Sequence, residues 1–149
     1  MLLCMKAETS TQPPPENQEI QRRLQALRDS LLSLHKALVD SERVEYERTI
    51  GKIQSPNHFL KLLVSDPWFA WLSPLPQLIV SMDEALSEKE PLTHGIVEAL
   101  EKQTNEMLVA SETGAGFSAH YFEVLQRDPD VVLAHAEVVK LRRPGKPKT

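Results

Sequence analysis

The sequence predicts an all-α fold: an antiparallel up-down-up-down four-helix bundle with a long first helix and a second arm that is broken by prolines. Three observations predict it. Apolar residues recur at intervals of three and four along most of the chain, which is the spacing of one helical face. No segment alternates polar and apolar residues, and no Asn-Gly or similar hairpin dipeptide occurs. Ser-Pro and Asp-Pro pairs recur, and such pairs start helices.

The first predicted helix has the most regular pattern. Its apolar residues are spaced by 4, 3, 4, 3 and 4 positions: Ile20, Leu24, Leu27, Leu31, Leu34 and Leu38. We expect this helix to continue through Tyr46 to about Ile53, which gives roughly 37 residues and a length of ~55 Å. Where the pattern next requires apolar residues, the sequence has Ser41, Glu42 and Glu45. Either the helix leaves the core there, or these residues form a buried polar site.

The second predicted arm spans residues 55–87 and is broken twice. Ser55-Pro56, Asp66-Pro67 and Ser73-Pro74 each place a capping side chain before a proline at the first helical position. The arm therefore consists of three helical pieces whose total length matches that of the first helix.

The breaks of the second arm enclose an aromatic block, residues 65–75. It contains both tryptophans and one of the four phenylalanines, in a chain with only 5% aromatic residues. Trp68 and Trp71 are three residues apart and share a helical face, whereas Phe69 points elsewhere. Either the whole block is core, or part of it is an exposed anchor for a partner protein, a role in which Trp is common. Trp68, Phe69 and Trp71 are thus the candidate partner-binding residues.

Two further arms complete the predicted bundle. Glu90-Pro91 predicts the start of the third arm, which should extend to about Glu112 and stop at Gly114-Ala115-Gly116. The fourth arm should begin at Phe117 and be interrupted at Asp128-Pro129. Loops of about two to four residues would make neighbouring arms antiparallel.

One bundle domain, residues 17–141, is expected to lie between two tails. We expect residues 1–16 to form a disordered Pro-rich tail. Its apolar content is low, and a proline triplet, Pro13 to Pro15, opposes regular structure. Residues 142–149 predict a basic flexible tail. Since the net charge is −4 and residues 140–149 carry five basic and no acidic side chains, residues 1–139 carry −9. Such an acidic body is a poor phosphate-binding surface, so we do not expect nucleic acid as a partner.

The composition also predicts a cytoplasmic protein. No apolar run approaches the ~20 residues that a membrane span needs, and the apolar opening of the chain is too short for a signal peptide. The single Cys4 cannot form an internal disulfide.

The motifs of common enzyme and cofactor sites are absent from the sequence, including the P-loop, His-Glu-Xaa-Xaa-His, Glu-Xaa-Xaa-His and Gly-Xaa-Ser-Xaa-Gly. We therefore expect no enzymatic activity and no cofactor. Geometry leaves one possible metal site: residues equidistant from a turn lie at one level of an antiparallel bundle, which would bring together His94, His135 and either Asp83 or Glu84. Two imidazoles and a carboxylate suit Zn²⁺ or Fe²⁺. Alternatively, His135 is a hydrogen-bonded side chain on a partly apolar face, and His94 lies near solvent at a helix start.

Two stretches resemble uncharacterised small helical proteins of bacteria. The first runs from Ser55-Pro56 through Asp66-Pro67-Trp68-Phe69-Ala70-Trp71-Leu72 to Asp83-Glu84, and the second is the segment from Arg127 to His135. The resemblance covers roughly residues 20–141. It implies a bacterial cytosolic helical domain and no activity.

The function that we expect from the sequence is protein binding. A non-enzymatic interaction or regulatory module, acting as a homodimer or with another protein, accounts for the long leucine-lined helix and the aromatic block. The alternative is a buried metal or small-molecule site that uses His94, His135 and nearby carboxylates, or the polar Ser41-Glu42-Glu45 interruption.

Overall fold

The computed structural model describes residues 15–87 and 91–141, and this part of the chain contains helices and no strand. The helices are α1 (Pro15–Thr49), α2 (Pro56–Ser65), α3 (Pro67–Ala70), α4 (Pro74–Ser87), α5 (His94–Met107), α6 (Phe117–Arg127) and α7 (Pro129–Leu141). The all-α prediction is confirmed. None of these helices combines the length and the apolar character needed to cross a membrane. The predicted tails lie outside the described residues, except that α1 already begins at Pro15.

The first helix is the element around which the others pack. α1 contacts α3, α4, α5 and α7, and its six regularly spaced apolar residues are almost completely buried. Each buried Leu or Ile contributes about 1.5–3 kcal/mol to stability relative to an exposed one. α1 ends at Thr49, slightly before its predicted end, and Ile53 beyond it returns to the core. There the backbone N–H of Ile53 donates to a Glu47 carboxylate oxygen at 2.9 Å.

Prolines break the second arm where the sequence predicted. The Ser55 hydroxyl accepts a hydrogen bond from the N–H of His58 at 3.1 Å, and the Asp66 carboxylate accepts one from the N–H of Trp68 at 2.8 Å. Both are N-cap bonds that satisfy donors left free at a helix start. α2 contains no buried residue, so it lies at the periphery of the molecule.

The third arm differs from its prediction at both ends. α5 begins at His94 because the hydroxyl of Thr93 caps it, accepting the N–H of Ile96 at 3.2 Å. It ends at Met107 rather than near Glu112, and residues 108–116 form a longer connection than the predicted two to four residues. The interruption between α6 and α7 at Asp128-Pro129 is as predicted.

Within the described part of the chain, ion pairs link α1 to three other helices. Arg23 donates two hydrogen bonds to the carboxylate of Glu101 on α5, at 2.8 and 3.0 Å. Arg28 holds Asp83 on α4 in the same bidentate way, at 2.7 and 3.2 Å. The third pair joins α1 to the end of α6 and belongs to the candidate site. Planar two-bond pairing fixes how one helix lies along another as well as neutralising charge.

Candidate functional site: an acidic pocket beside the aromatic block

The polar residues Ser41, Glu42 and Glu45, which interrupt the apolar pattern of α1, form a buried polar site. This was one of the two interpretations of the sequence. Glu42 is only 6% exposed, and Ser41 is also buried. Arg127, the last residue of α6, donates to the Glu42 carboxylate at 2.8 Å and to the Ser41 hydroxyl at 3.3 Å. Its Nε lies 3.7 Å from a carboxylate oxygen of Glu45. A buried carboxylate without such a partner would be strongly destabilising, so Arg127 is what allows Glu42 to replace an apolar residue.

The aromatic block lies next to this ion pair and is largely core. Phe69 is 2% exposed and packs against Tyr46 of α1 and Phe59 of α2, with ring centroids 5.6 and 5.8 Å away. It therefore cannot serve as an exposed anchor, and Phe69 is removed from the three candidate partner-binding residues. Trp68 is half-buried and meets Tyr46 edge-on, at 5.6 Å and 88°.

Trp71 connects the block to α6. Its ring stacks on the imidazole of His120 at 5.0 Å and 14°, and it contacts Phe117 at 5.3 Å. The indole N–H groups of Trp68 and Trp71 are both buried and have no hydrogen-bond partner among the described residues. The ring arrangement thus fixes the position of both tryptophans by packing alone.

Between the ion pair and the aromatic block lies a cavity of about 360 Å³, which we call the acidic-aromatic pocket. It is lined by Glu42, Glu45, Pro67, Trp68, His120, Glu123 and Arg127. Three carboxylates and one guanidinium line the pocket, and Arg48 also pairs with Glu45, so this group of side chains carries a net charge of −1 when His120 is neutral. Residues from α1, α3 and α6 meet here, so the pocket exists only when the arms are assembled.

The lining has the chemistry of a site for a cationic group. Glu123 is exposed and forms no hydrogen bond or ion pair with the described residues, so its carboxylate can accept bonds from a ligand. Carboxylates accept short, strong hydrogen bonds from ammonium and guanidinium groups. The face of an indole ring attracts the same cations. The carboxylates of Glu42 and Glu45 are already shared with Arg127, and Arg48 also pairs with Glu45, which leaves Glu123 and Trp68 as the groups open to a ligand.

The predicted metal site is not formed. Within residues 15–87 and 91–141 no group of three or more His, Cys, Asp and Glu side chains could hold a metal ion, so His94, His135 and Glu84 do not converge. His94 is exposed at the start of α5, and Glu84 is exposed on α4. Asp83 is held by Arg28. His135 Nδ1 is hydrogen bonded to the Tyr121 hydroxyl at 2.6 Å, as the competing interpretation of this histidine predicted.

Sequence reasoning missed Arg127, His120 and Glu123 as members of the site. A signal for Arg127 was present, because a glutamate at a core position needs a cationic partner. The sequence separation of 85 residues between Arg127 and Glu42 hides which cation that is.

Comparison of the chain with known proteins finds no matching family model, no matching curated protein and no matching solved structure.

Proposed function

We propose that the protein is a non-enzymatic protein-binding module, and that its acidic-aromatic pocket receives a lysine or arginine side chain of a partner protein. The observation that carries the proposal is the pocket itself. It combines the carboxylate of Glu123, which has no ion pair among the described residues, with an indole, Trp68, whose position is fixed by packing against the core.

The scaffold that we propose is the up-down-up-down four-helix bundle. Contacts between α1 and α4 support opposite directions for these two helices. Arg28 of α1 pairs with Asp83 of α4. His35, nearer the C-terminal end of α1, lines the same cavity as Pro76, which is nearer the N-terminal end of α4. Ion pairs from α1 to α4, α5 and α6 would then fix three arms against the first one. Such a scaffold holds the pocket in one shape before a partner arrives, which reduces the entropic cost of binding.

The charge of the whole chain supports a basic partner. Residues 1–139 carry −9 because five of the basic side chains lie in residues 140–149 and the total is −4. A negative surface attracts and orients basic proteins and repels acidic ones. The pocket carries a negative charge, like the surface around it. A basic side chain at the tip of a loop or helix would therefore be attracted first to the surface and then to the pocket.

The test uses two small cations that represent the lysine and arginine side chains. Butylammonium and methylguanidinium are titrated into ¹⁵N-labelled protein, and backbone and indole resonances are followed by NMR. We expect the largest shifts at Trp68, His120 and Glu123. Glu123→Gln should raise the dissociation constant roughly fivefold to tenfold, which corresponds to the loss of one charge-assisted hydrogen bond.

The matched control is Glu84→Gln, which removes the same charge from an exposed position on α4, where Glu84 has no ion pair among the described residues. It should leave the dissociation constant unchanged. Shifts spread evenly over the acidic surface, or equal losses in both variants, would contradict a site in the pocket. Affinity purification from native cells with the wild-type and Glu123→Lys proteins then identifies a partner, which only the wild type should retain.

A free amine is the second candidate ligand, because about 360 Å³ is within the range of small-molecule pockets. A thermal-shift panel of polyamines and amine-bearing metabolites distinguishes the two: a small molecule that occupies the pocket raises the melting temperature at concentrations near its dissociation constant.

A further inference from the structure

A second cavity lies where α1, α2, α3 and the start of α4 meet. Its volume is about 310 Å³, which is within the range of small-molecule sites. Most of its lining residues are apolar: Leu63, Val64, Phe69, Ala70, Leu72 and Pro76. It shares no lining residue with the acidic-aromatic pocket, so a ligand here would occupy a separate site.

Two polar side chains also line this apolar cavity: His35 of α1, and Ser73 between α3 and α4. Neither side chain forms a hydrogen bond or an ion pair with another residue in the described part of the chain. A neutral imidazole offers one N–H donor and one nitrogen acceptor, and a hydroxyl can act as either. Polar groups that are removed from water normally have hydrogen-bond partners. Half-buried His35 therefore presents unused hydrogen-bonding capacity beside an apolar wall.

The lining also defines the charge of a ligand. The described residues that line this cavity include none with a charged side chain. Burial lowers the pKa of His35, because the imidazolium is poorly solvated there, so the imidazole is neutral at pH 7. A carboxylate ligand would meet no cation and an ammonium ligand would meet no carboxylate. Either would lose its hydration without compensation, so an uncharged ligand fits best.

The volume and the wall define the size and type of this ligand. A cavity of about 150 Å³ is enough for a benzene molecule, so one of about 310 Å³ has room for two fused rings. The ring of Phe69 is part of the wall, and aromatic rings pack favourably against one another. A rigid ring system also loses little conformational entropy on binding.

We propose that this cavity binds a small uncharged aromatic molecule of one or two rings, whose N–H or O–H group donates a hydrogen bond to the imidazole of His35. The hydrogen bond sets the orientation of the molecule, and the apolar wall supplies most of the affinity. With so few atoms in the ligand, the dissociation constant should be on the order of 0.1–1 mM.

Indole is the probe, and 1-methylindole, which has nearly the same shape but no N–H, is its matched control. Each is titrated into protein with ¹³C-labelled methyl groups and followed by NMR. Indole should shift the methyl resonances of Leu63, Val64 and Leu72. 1-Methylindole should bind about threefold to tenfold more weakly, which is the effect of one lost hydrogen bond. Indole-3-carboxylate should not bind detectably, because of its charge.

Three variants place the probe in the cavity. His35→Leu should raise the dissociation constant of indole to that of 1-methylindole and leave the latter unchanged. His94→Leu alters an exposed histidine outside the cavity and should change neither value. Ala70→Leu adds a larger side chain at an exposed residue of the lining and should abolish binding of both compounds. Circular dichroism of each variant shows whether it is folded.

Four results would overturn the proposal. They are no binding of indole by the wild type at about 5 mM, well above the expected dissociation constant; equal affinity for indole and 1-methylindole; detectable binding of indole-3-carboxylate; and shifts that centre on Trp68 rather than on Leu63. If Ala70→Leu does not fold, the methyl shifts and the response of His35→Leu still decide between these outcomes.

Discussion

At the scale of single residues, Phe69 is the packing centre of the aromatic block. Its ring touches Tyr46 from α1 and Phe59 from α2, and almost none of its surface reaches solvent. Phe69→Ala should lower the free energy of unfolding by about 3–5 kcal/mol, because it removes buried apolar surface and leaves a cavity. Urea unfolding followed by circular dichroism measures this loss.

The control for Phe69→Ala is Val64→Ala, a truncation at an exposed position of α2. It should change the free energy of unfolding by less than about 0.5 kcal/mol. If Phe69→Ala cost as little as Val64→Ala, the aromatic block would not be part of the core.

His35 is a second residue whose environment gives a measurable effect. It lies on α1 and lines an apolar cavity of about 310 Å³ with Leu63, Phe69 and Leu72. Burial lowers the pKa of His35 from its usual 6.5, because the charged imidazolium is poorly solvated there. The folded protein then binds fewer protons than the unfolded chain just below the usual pKa. The stabilising contribution of neutral His35 is complete above about pH 6.5 and is lost as the pH falls towards the lowered value.

We therefore expect the free energy of unfolding of the wild type to fall relative to that of His35→Gln as the pH is lowered below about 6.5. Urea unfolding at a series of pH values measures the difference. Parallel pH profiles for the wild type and His35→Gln would show that burial of His35 has no energetic consequence.

At the scale of elements, the ion pair between Arg23 and Glu101 joins α1 to α5. Glu101 is buried, and the hydrogen bond that it accepts is the main reason why the pKa of Arg23 is raised. Arg23→Met leaves a buried carboxylate without its partner and should destabilise the protein by about 3 kcal/mol. Chemical unfolding measures this change.

Arg22 provides the matched comparison, because it is the adjacent arginine and its ion pair with Glu19 is exposed. Arg22→Met should cost less than about 1 kcal/mol. Combining Arg23→Met with Glu101→Leu should recover most of the stability, since no buried charge is then left alone. A double variant as unstable as Arg23→Met would point to lost packing rather than to the unpaired carboxylate.

The helix starts at Ser-Pro and Asp-Pro pairs were predicted well because their cause is local, whereas α5 starts at His94, later than the predicted Glu90-Pro91. Ser55-Pro56, Asp66-Pro67 and Asp128-Pro129 each contain their own capping residue and helix-compatible proline, so neighbours in sequence are sufficient. Helix ends depend on tertiary contacts. α5 ends at Met107 and residue 108 turns into the core, which no local signal indicated. The predicted meeting of His94 and His135 assumed a turn near Ala115 between fully helical arms, and the long connection 108–116 removes that assumption.

The candidate site was predictable only in part for the same reason. The unusual positions of Ser41, Glu42 and Glu45 were visible in the sequence, as was the concentration of aromatic residues near Trp68. Their combination into one pocket requires α6 to deliver Arg127, His120 and Glu123, and this depends on how the arms pack. Periodicity describes one helix at a time and contains no information on which faces meet.

At the scale of the whole molecule, the core is a single connected cluster to which every helix except α2 contributes buried residues. Both tryptophans belong to α3 and its C-terminal cap, and they report on two different contacts of this cluster: Trp68 packs on Tyr46 of α1, and Trp71 on Phe117 of α6. Loss of any arm should therefore expose the core that the others share. We expect equilibrium unfolding in urea to be one cooperative transition.

The measurement compares two probes in the same samples. Tryptophan fluorescence reports on the aromatic block, and far-ultraviolet circular dichroism reports on all the helices, of which α1 is the longest. The two curves should have the same midpoint and an m-value of about 1–3 kcal/mol per molar urea, as for other small domains. In a Trp68→Phe variant Trp71 is the only tryptophan, so fluorescence reports on the contact with α6. The fluorescence and circular-dichroism curves of this variant should again have the same midpoint. A fluorescence midpoint at clearly lower urea would mean that α3 and α6 separate from α1 before the helices melt, and that the pocket between them can open while the rest of the protein stays folded.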